Sequence, residues 1–161
     1  MTFHPLLNRR AALGAIACGL TSLSLPAVVR AESPAISRAL HVAKSPTCGC
    51  CEAWVNLAVA EGFDVTKTNI DDVTPAKVQS GVPQPLWSCH TASVDGYVIE
   101  GHVPFEAIAM LLRDRPAITG LAVPGMPMGS PGMGDDPAAR FDAIAFGGEA
   151  AEGQVYFKAG A

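Results

Sequence analysis

Three cysteines fall within four residues, Cys48-Gly49-Cys50-Cys51, and a fourth stands in Ser88-Cys89-His90-Thr91. Cys48 and Cys51 have the C-x-x-C spacing of thiol–disulfide redox pairs, in which one thiolate attacks and the second sulfur resolves. Cys48 and Cys50 have C-x-C spacing, and paired thiolates of that kind chelate soft metals. The adjacent Cys50 and Cys51 are poorly placed to close on each other, because a vicinal disulfide strains the peptide. Two structural readings stand beside these. One is stapling by two disulfides, for instance from Cys48 or Cys51 to Cys89. The other is a Cys₄ zinc site, although such sites usually draw on two separated cysteine pairs. The cluster points to soft-metal or redox chemistry and does not choose between them.

A second group of soft donors lies in residues 116–139, where Met126, Met128 and Met133 are set among five Pro and five Gly. That density of Pro and Gly predicts a loop without regular structure, and loops so long are uncommon unless functional or disordered. Met packs adaptably, so these side chains could fold back as anchors on the core. Alternatively, Met126 and Met128 are soft ligands near the cysteines, and thioether together with thiolate selects Cu(I) over zinc or hard cations. Among the histidines, His102 is the best ligand candidate. His90 points away from Cys89 on a regular strand and reads as a neighbour of the site. His41 reads as a structural or edge residue. Asp71-Asp72 and Asp135-Asp136 read as solvated loop charges.

The elements that must position these residues follow from local pattern. Ala39 to Ala43 is a short apolar strand ending at the turn Lys44-Ser45-Pro46-Thr47. From Cys51 to Glu61 the spacing of Trp54, Val55, Leu57, Ala58 and Val59 is helical, and Gly62 supplies the stop. Residues 63–70 read as a second strand, and Thr74-Pro75 opens a short helix to Ser80. Asp95-Gly96 between two apolar runs is a strong hairpin signal. A two-residue loop there pairs Val94 with Tyr97, Ala92 with Ile99 and His90 with Gly101, and one step further sets Cys89 opposite His102. Pro104 opens a helix with Phe105, Ile108, Leu111 and Leu112 on one face. Phe141–Phe146 and Gln154–Phe157 form a closing hairpin.

This β-α-β-α-β-β-α order predicts an α/β, thioredoxin-like fold: a mixed sheet with flanking helices and an extra C-terminal hairpin. Cys48-Gly49-Cys50-Cys51 then lies at the start of the first helix. There, unpaired N–H groups and the positive dipole end favour thiolate. In such a fold the start of the third strand packs beside that helix N-terminus, so all four thiols converge.

Residues 1–31 contain no acidic residue and read as an export signal. Asn8-Arg9-Arg10 precedes an apolar run from Ala11 to Leu25, and Val29-Arg30-Ala31 offers a cleavage site after Ala31. The paired arginines fit twin-arginine export, with the general secretory route as the alternative. The apolar run is shorter than the ~20 residues of a membrane span. A lipoprotein reading at Cys18 fits less well. The expected organisation is a cleaved signal at 1–31, a flexible lead at 32–38 and one domain at 39–161. Removing the signal leaves 130 residues with 8 of the 11 basic and all 15 acidic residues, a charge of −7, and an even four cysteines. The full chain, at −4, carries no electrostatic footprint for nucleic acid. With 49% hydrophobic and 16% charged residues it is not a disordered chain.

Ser45-Pro-Thr-Cys-Gly-Cys-Cys51, Ser88-Cys-His-Thr91, Asp95-Gly-Tyr-Val-Ile-Glu-Gly-His-Val-Pro104 and Gly120-Leu-Ala-Val-Pro-Gly-Met-Pro-Met-Gly-Ser-Pro-Gly-Met133 stand in order along the chain. Together they resemble one family: the uncharacterised-domain, CopG-like family of exported bacterial metal-binding proteins associated with copper resistance. The resemblance spans about Leu40 to Phe157. It implies a thioredoxin-like fold whose C-x-C-C and C-H cysteines bind copper, here Cys48, Cys50, Cys51 and Cys89, in a thiolate-bridged cluster. His90, His102 and the Met126/Met128 loop match further family motifs. The expected function is therefore a periplasmic copper-binding protein in copper resistance, with Cu(I) held by those cysteines together with His102, Met126 and Met128. A metal-binding role is expected ahead of an enzymatic one, with copper-linked redox activity as the enzymatic alternative. Expected partners are copper ions and other periplasmic copper-handling proteins, with no nucleic acid and no stable membrane insertion after signal cleavage. The alternative is a periplasmic thiol–disulfide oxidoreductase using Cys48 and Cys51.

Overall fold

The computed structural model describes residues 37–160. The expected export signal, Cys18 and all but the last two residues of the expected lead lie outside them. Ten elements follow in order: β1 (Ala39–Lys44), α1 (Gly49–Ala60), β2 (Asp64–Asn69), α2 (Thr74–Gln79), β3 (His90–Val94), β4 (Tyr97–Gly101), α3 (Phe105–Asp114), β5 (Gly120–Val123), β6 (Phe141–Phe146) and β7 (Val155–Ala159). A 3-10 turn over Gln84–Leu86 precedes β3.

The strands form one mixed sheet in the order β2-β1-β3-β4-β5-β6-β7. β1 runs parallel to β2 and antiparallel to β3, and β3 runs antiparallel to β4. These are the order and directions that a βαβ half joined to a ββα half requires. The hairpin closes as the sequence predicts, with Val94 opposite Tyr97 and Ala92 opposite Ile99. Asp95 and Gly96 both take positive φ, 48° and 87°, which matches the turn to the twist of the strands. β6 and β7 form the expected C-terminal hairpin.

One expectation fails. Residues 116–139 are not wholly irregular, because Gly120–Val123 is a strand paired parallel with β4 and antiparallel with β6. All four of its residues are buried. Its backbone is satisfied by strands on both sides, so tertiary pairing overrides the local Pro and Gly content. The first helix also begins two residues earlier than its apolar spacing indicates, at Gly49, with Cys48 as its N-cap.

The main core lies between one sheet face and the helices α1 and α3. Trp54, Val55 and Ala58 from α1 and Ala107, Ile108, Leu111 and Leu112 from α3 pack on Leu40, Val42, Ile99 and Leu121. A smaller cluster of Val82, Ala122 and Phe146 covers the other face, backed by Leu86 and Trp87. Arg38 ties the entry of β1 to the end of α1, donating to the carbonyls of Glu61 and Gly62.

These directions place the C-terminal ends of β1, β4 and β5 and the N-terminal end of β3 at one end of the sheet. Lys44 pairs with His90 there, and Gly101 pairs with Val123. The segments leaving that end carry every candidate site residue. Among the described residues no helix is long and apolar enough to cross a membrane.

Candidate metal centre

The Cys48 sulfur caps α1, accepting the Cys51 N–H at 3.3 Å. Cys48 and Cys51 are joined in a disulfide, and Cys50 and Cys89 are free. This is not the Cys48–Cys89 or Cys51–Cys89 staple that the stapled reading names. It is the C-x-x-C pair, closed by one helical turn that already holds its ends together. All four sulfurs nevertheless lie within 4.8 Å of one another. Cys50 Sγ is 3.5 Å from Cys48 Sγ, and Cys51 Sγ is 3.6 Å from the Cys89 carbonyl.

Cys89 is brought in by the chain just before β3. The backbone N–H of Ser88 donates to the buried carboxylate of Glu100 at 2.6 Å. The same carboxylate pairs with Lys77 Nζ at 2.6 Å and accepts from the Thr91 hydroxyl at 2.7 Å. Gly101 makes room for this approach, because its φ is +70° and a Cβ there would collide with the Ser88 side chain. The Ser88 hydroxyl in turn donates to the Gly125 carbonyl at 2.5 Å, next to Met126.

His102 Nε2 stands 3.1 Å from Cys89 Sγ, the meeting that the hairpin register predicts. His90 is closer to the site than a regular strand allows. Its Nδ1 is 3.4 Å from the same sulfur, and its ring lies 4.6 Å from that of Trp54. Regular pairing ends at His90, so the alternation rule does not carry through to Cys89. Cys89, His90 and His102 form a second close group of donors beside the four sulfurs. His90 Nε2 is buried without a hydrogen-bond partner among the described residues.

Burial sets the protonation of this inner edge. It pushes the Cys89 thiol up to about 12, with the neighbouring Cys50 adding to the effect. It pushes His90 down to about 3, helped by His102, Lys77 and Lys44, and it lowers His102 as well. The inner donors are therefore a neutral thiol and neutral imidazoles at pH 7. A metal entering there displaces the thiol proton.

The methionine loop is pinned rather than loose. Gly132 takes φ +93° and lies flat on the first turn of α1, where a Cβ would stand 2.7 Å from the Cys50 carbonyl and 2.9 Å from the Trp54 nitrogen. Ser130, which the sequence reading passed over, is buried and bonds both His102 Nδ1 and the Pro127 carbonyl. Met126 and Met128 are not core anchors, since they are 49% and 59% exposed. Met126 Sδ lies 3.9 Å from Cys50 Sγ. No such contact is found for Met128 among the described residues.

Soft sulfur and imidazole donors gathered at a half-buried helix N-terminus fit copper binding. Residues 86–133 match the model of a family described as a protein of unknown function, DUF411. Two solved structures titled copper resistance protein CopG, form 1 and form 2, are also similar. They are 38% and 39% identical, with a TM-score of 0.67 for each, and the match covers 74% of this chain and 95% and 96% of theirs. The chain belongs to this copper-resistance-associated DUF411 family. The matched DUF411 segment contains Cys89, His90, His102, the methionines and Ser130, whereas the C-x-C-C motif precedes it. No curated protein matched the chain.

Proposed function

We propose that this chain is an exported, periplasmic copper-resistance protein that holds Cu(I) in its reduced form. Cys48, Cys50, Cys51 and Cys89 serve as thiolate ligands, His102 Nε2 and Met126 complete the set, and Met128 stands at the entrance. Four sulfurs within 4.8 Å carry this reading. Bridging thiolates at such separations can hold more than one ion, which supports a multinuclear cluster. The working unit is a thioredoxin-like domain over 39–161, preceded by a signal cleaved after Ala31 and a short lead at 32–38. Its role is sequestration of copper, or its delivery to other periplasmic copper-handling proteins.

Titration of the reduced mature chain with Cu(I) against a chromophoric competitor tests the assignment. Saturation is expected at one or more ions per chain, with a large loss in the Cys50→Ser/Cys89→Ser variant. Unchanged stoichiometry in that variant sinks the proposal.

A second reading rests on the Cys48–Cys51 disulfide at the start of α1. As a thiol–disulfide oxidoreductase, the protein would pass that disulfide to a substrate dithiol, whose two sulfurs are oxidised as Cys48 and Cys51 are reduced. The exchange is reversible, so the pair reduced by dithiothreitol would in turn reduce an insulin disulfide and return to the Cys48–Cys51 disulfide. Such activity, surviving Cys50→Ser and lost with Cys48→Ser, would favour it.

A further inference from the structure

His102 approaches Cys89 through Nε2, so the state of its other nitrogen decides what Nε2 can offer. Nδ1 lies 3.1 Å from the Ser130 hydroxyl oxygen. That hydroxyl has a single proton, and it is directed at the Pro127 carbonyl at 2.6 Å, a group that can only accept. Ser130 Oγ therefore has only lone pairs left for His102, and Nδ1 must supply the hydrogen. In a neutral ring this leaves Nε2 without a proton, its lone pair directed at the Cys89 sulfur 3.1 Å away. His102 is fully buried and Ser130 is 1% exposed, so water is poorly placed to replace the hydroxyl.

We propose that Ser130 is a positioning residue of the metal centre, accepting the Nδ1–H of His102 and thereby presenting the Nε2 lone pair to the Cys89 side of the site. The role rests on the copper reading above and extends it to a residue that touches no metal. It also gives the methionine loop a second task. The segment that carries Met126 past Cys50 also holds His102, the neighbour of Cys89, through Ser130. A ligand imidazole held by an outer hydrogen bond keeps one tautomer and one orientation. Loss of such a partner typically weakens metal binding by ~10–100-fold.

The test uses the mature chain with Ser130→Ala beside the wild type, with a thermal melt of each to confirm folding. Long-range proton–nitrogen NMR of the metal-free proteins reads the His102 tautomer without reference to copper. The wild type is expected to carry the proton on Nδ1, and the variant to lose that preference. Competition titration of the reduced proteins is expected to show unchanged stoichiometry with Cu(I) affinity lower by ~10–100-fold in the variant. A wild-type His102 protonated on Nε2 overturns the proposal, and so does a variant with wild-type affinity. A wild type that binds no Cu(I) overturns the copper reading instead, and the tautomer comparison alone then decides whether Ser130 orients His102.

Discussion

Among the described residues the most demanding is Glu100, a fully buried carboxylate with the buried cation of Lys77 beside it. Lys77 Nζ, the Thr91 hydroxyl and the Ser88 N–H share its two oxygens. Together they hold the peptide that leads into Cys89. Buried ion pairs add little net stability over apolar replacements, yet removing one partner strands the other charge. Glu100→Gln and Lys77→Met are each expected to cost about 3–5 kcal/mol, measured by guanidinium unfolding. The double variant Lys77→Met/Glu100→Gln should cost clearly less than the two single losses added together, because no charge is left unpaired. Additive losses would mean that the two side chains act separately. In the sequence, Lys77 and Glu100 look like ordinary surface charges on a short helix and an alternating strand. Their pairing spans 23 residues and is set by the packing of α2 on the sheet, which no local pattern encodes.

At the scale of elements, legibility tracks how local each cause is. The Asp95-Gly96 turn fixes the β3–β4 register through its own backbone preference, so the meeting of Cys89 with His102 could be read directly. The cysteine motif could be placed at the start of α1 because a strand, a turn and an apolar helical run surround it. β5 escaped because its four residues become a strand only between two partners. The fold-back of Ser130 onto His102 escaped because it depends on where the loop is pinned. That pinning has a sequence cause, visible in retrospect at Gly132. With φ at +93° and two backbone atoms of α1 inside 3 Å of any added Cβ, the position accepts no other residue without moving the loop or the helix. Gly132→Ala is expected to cost about 1–3 kcal/mol and to loosen the segment that carries Met126 and Met128. Limited proteolysis with mass mapping should show faster cleavage between residues 124 and 134, while the sheet stays protected. Unchanged cleavage would mean that the loop is held chiefly by the bond from Ser88 to Gly125 and by that between Ser130 and His102.

For the whole molecule, the site is the place where distant parts of the chain are joined. The first helix, the entry to β3, the exit from β4 and the loop after β5 meet at one end of the sheet, across 78 residues from Cys48 to Met126. In the oxidised form the Cys48–Cys51 disulfide closes only a three-residue separation. It restricts the unfolded chain little, since the stabilisation by a cross-link grows with the loop it closes. A metal held by Cys50, Cys89 and His102 as well would link all these segments. Because it binds the folded arrangement and not the dispersed ligands, loading should raise stability by mass action. The gain is about 2.7 kcal/mol when free ligand is ~100 times its Kd, roughly 10 °C in Tm for a domain of this size. Differential scanning calorimetry of the reduced mature chain, with and without Cu(I), should show that rise, and a strong Cu(I) chelator should reverse it. The oxidised protein should respond much less, because two of its four sulfurs are bonded to each other and unavailable as thiolates. An equal rise in both redox forms would place copper on Cys50, Cys89, His102 and Met126 alone, with the C-x-x-C pair left to redox exchange.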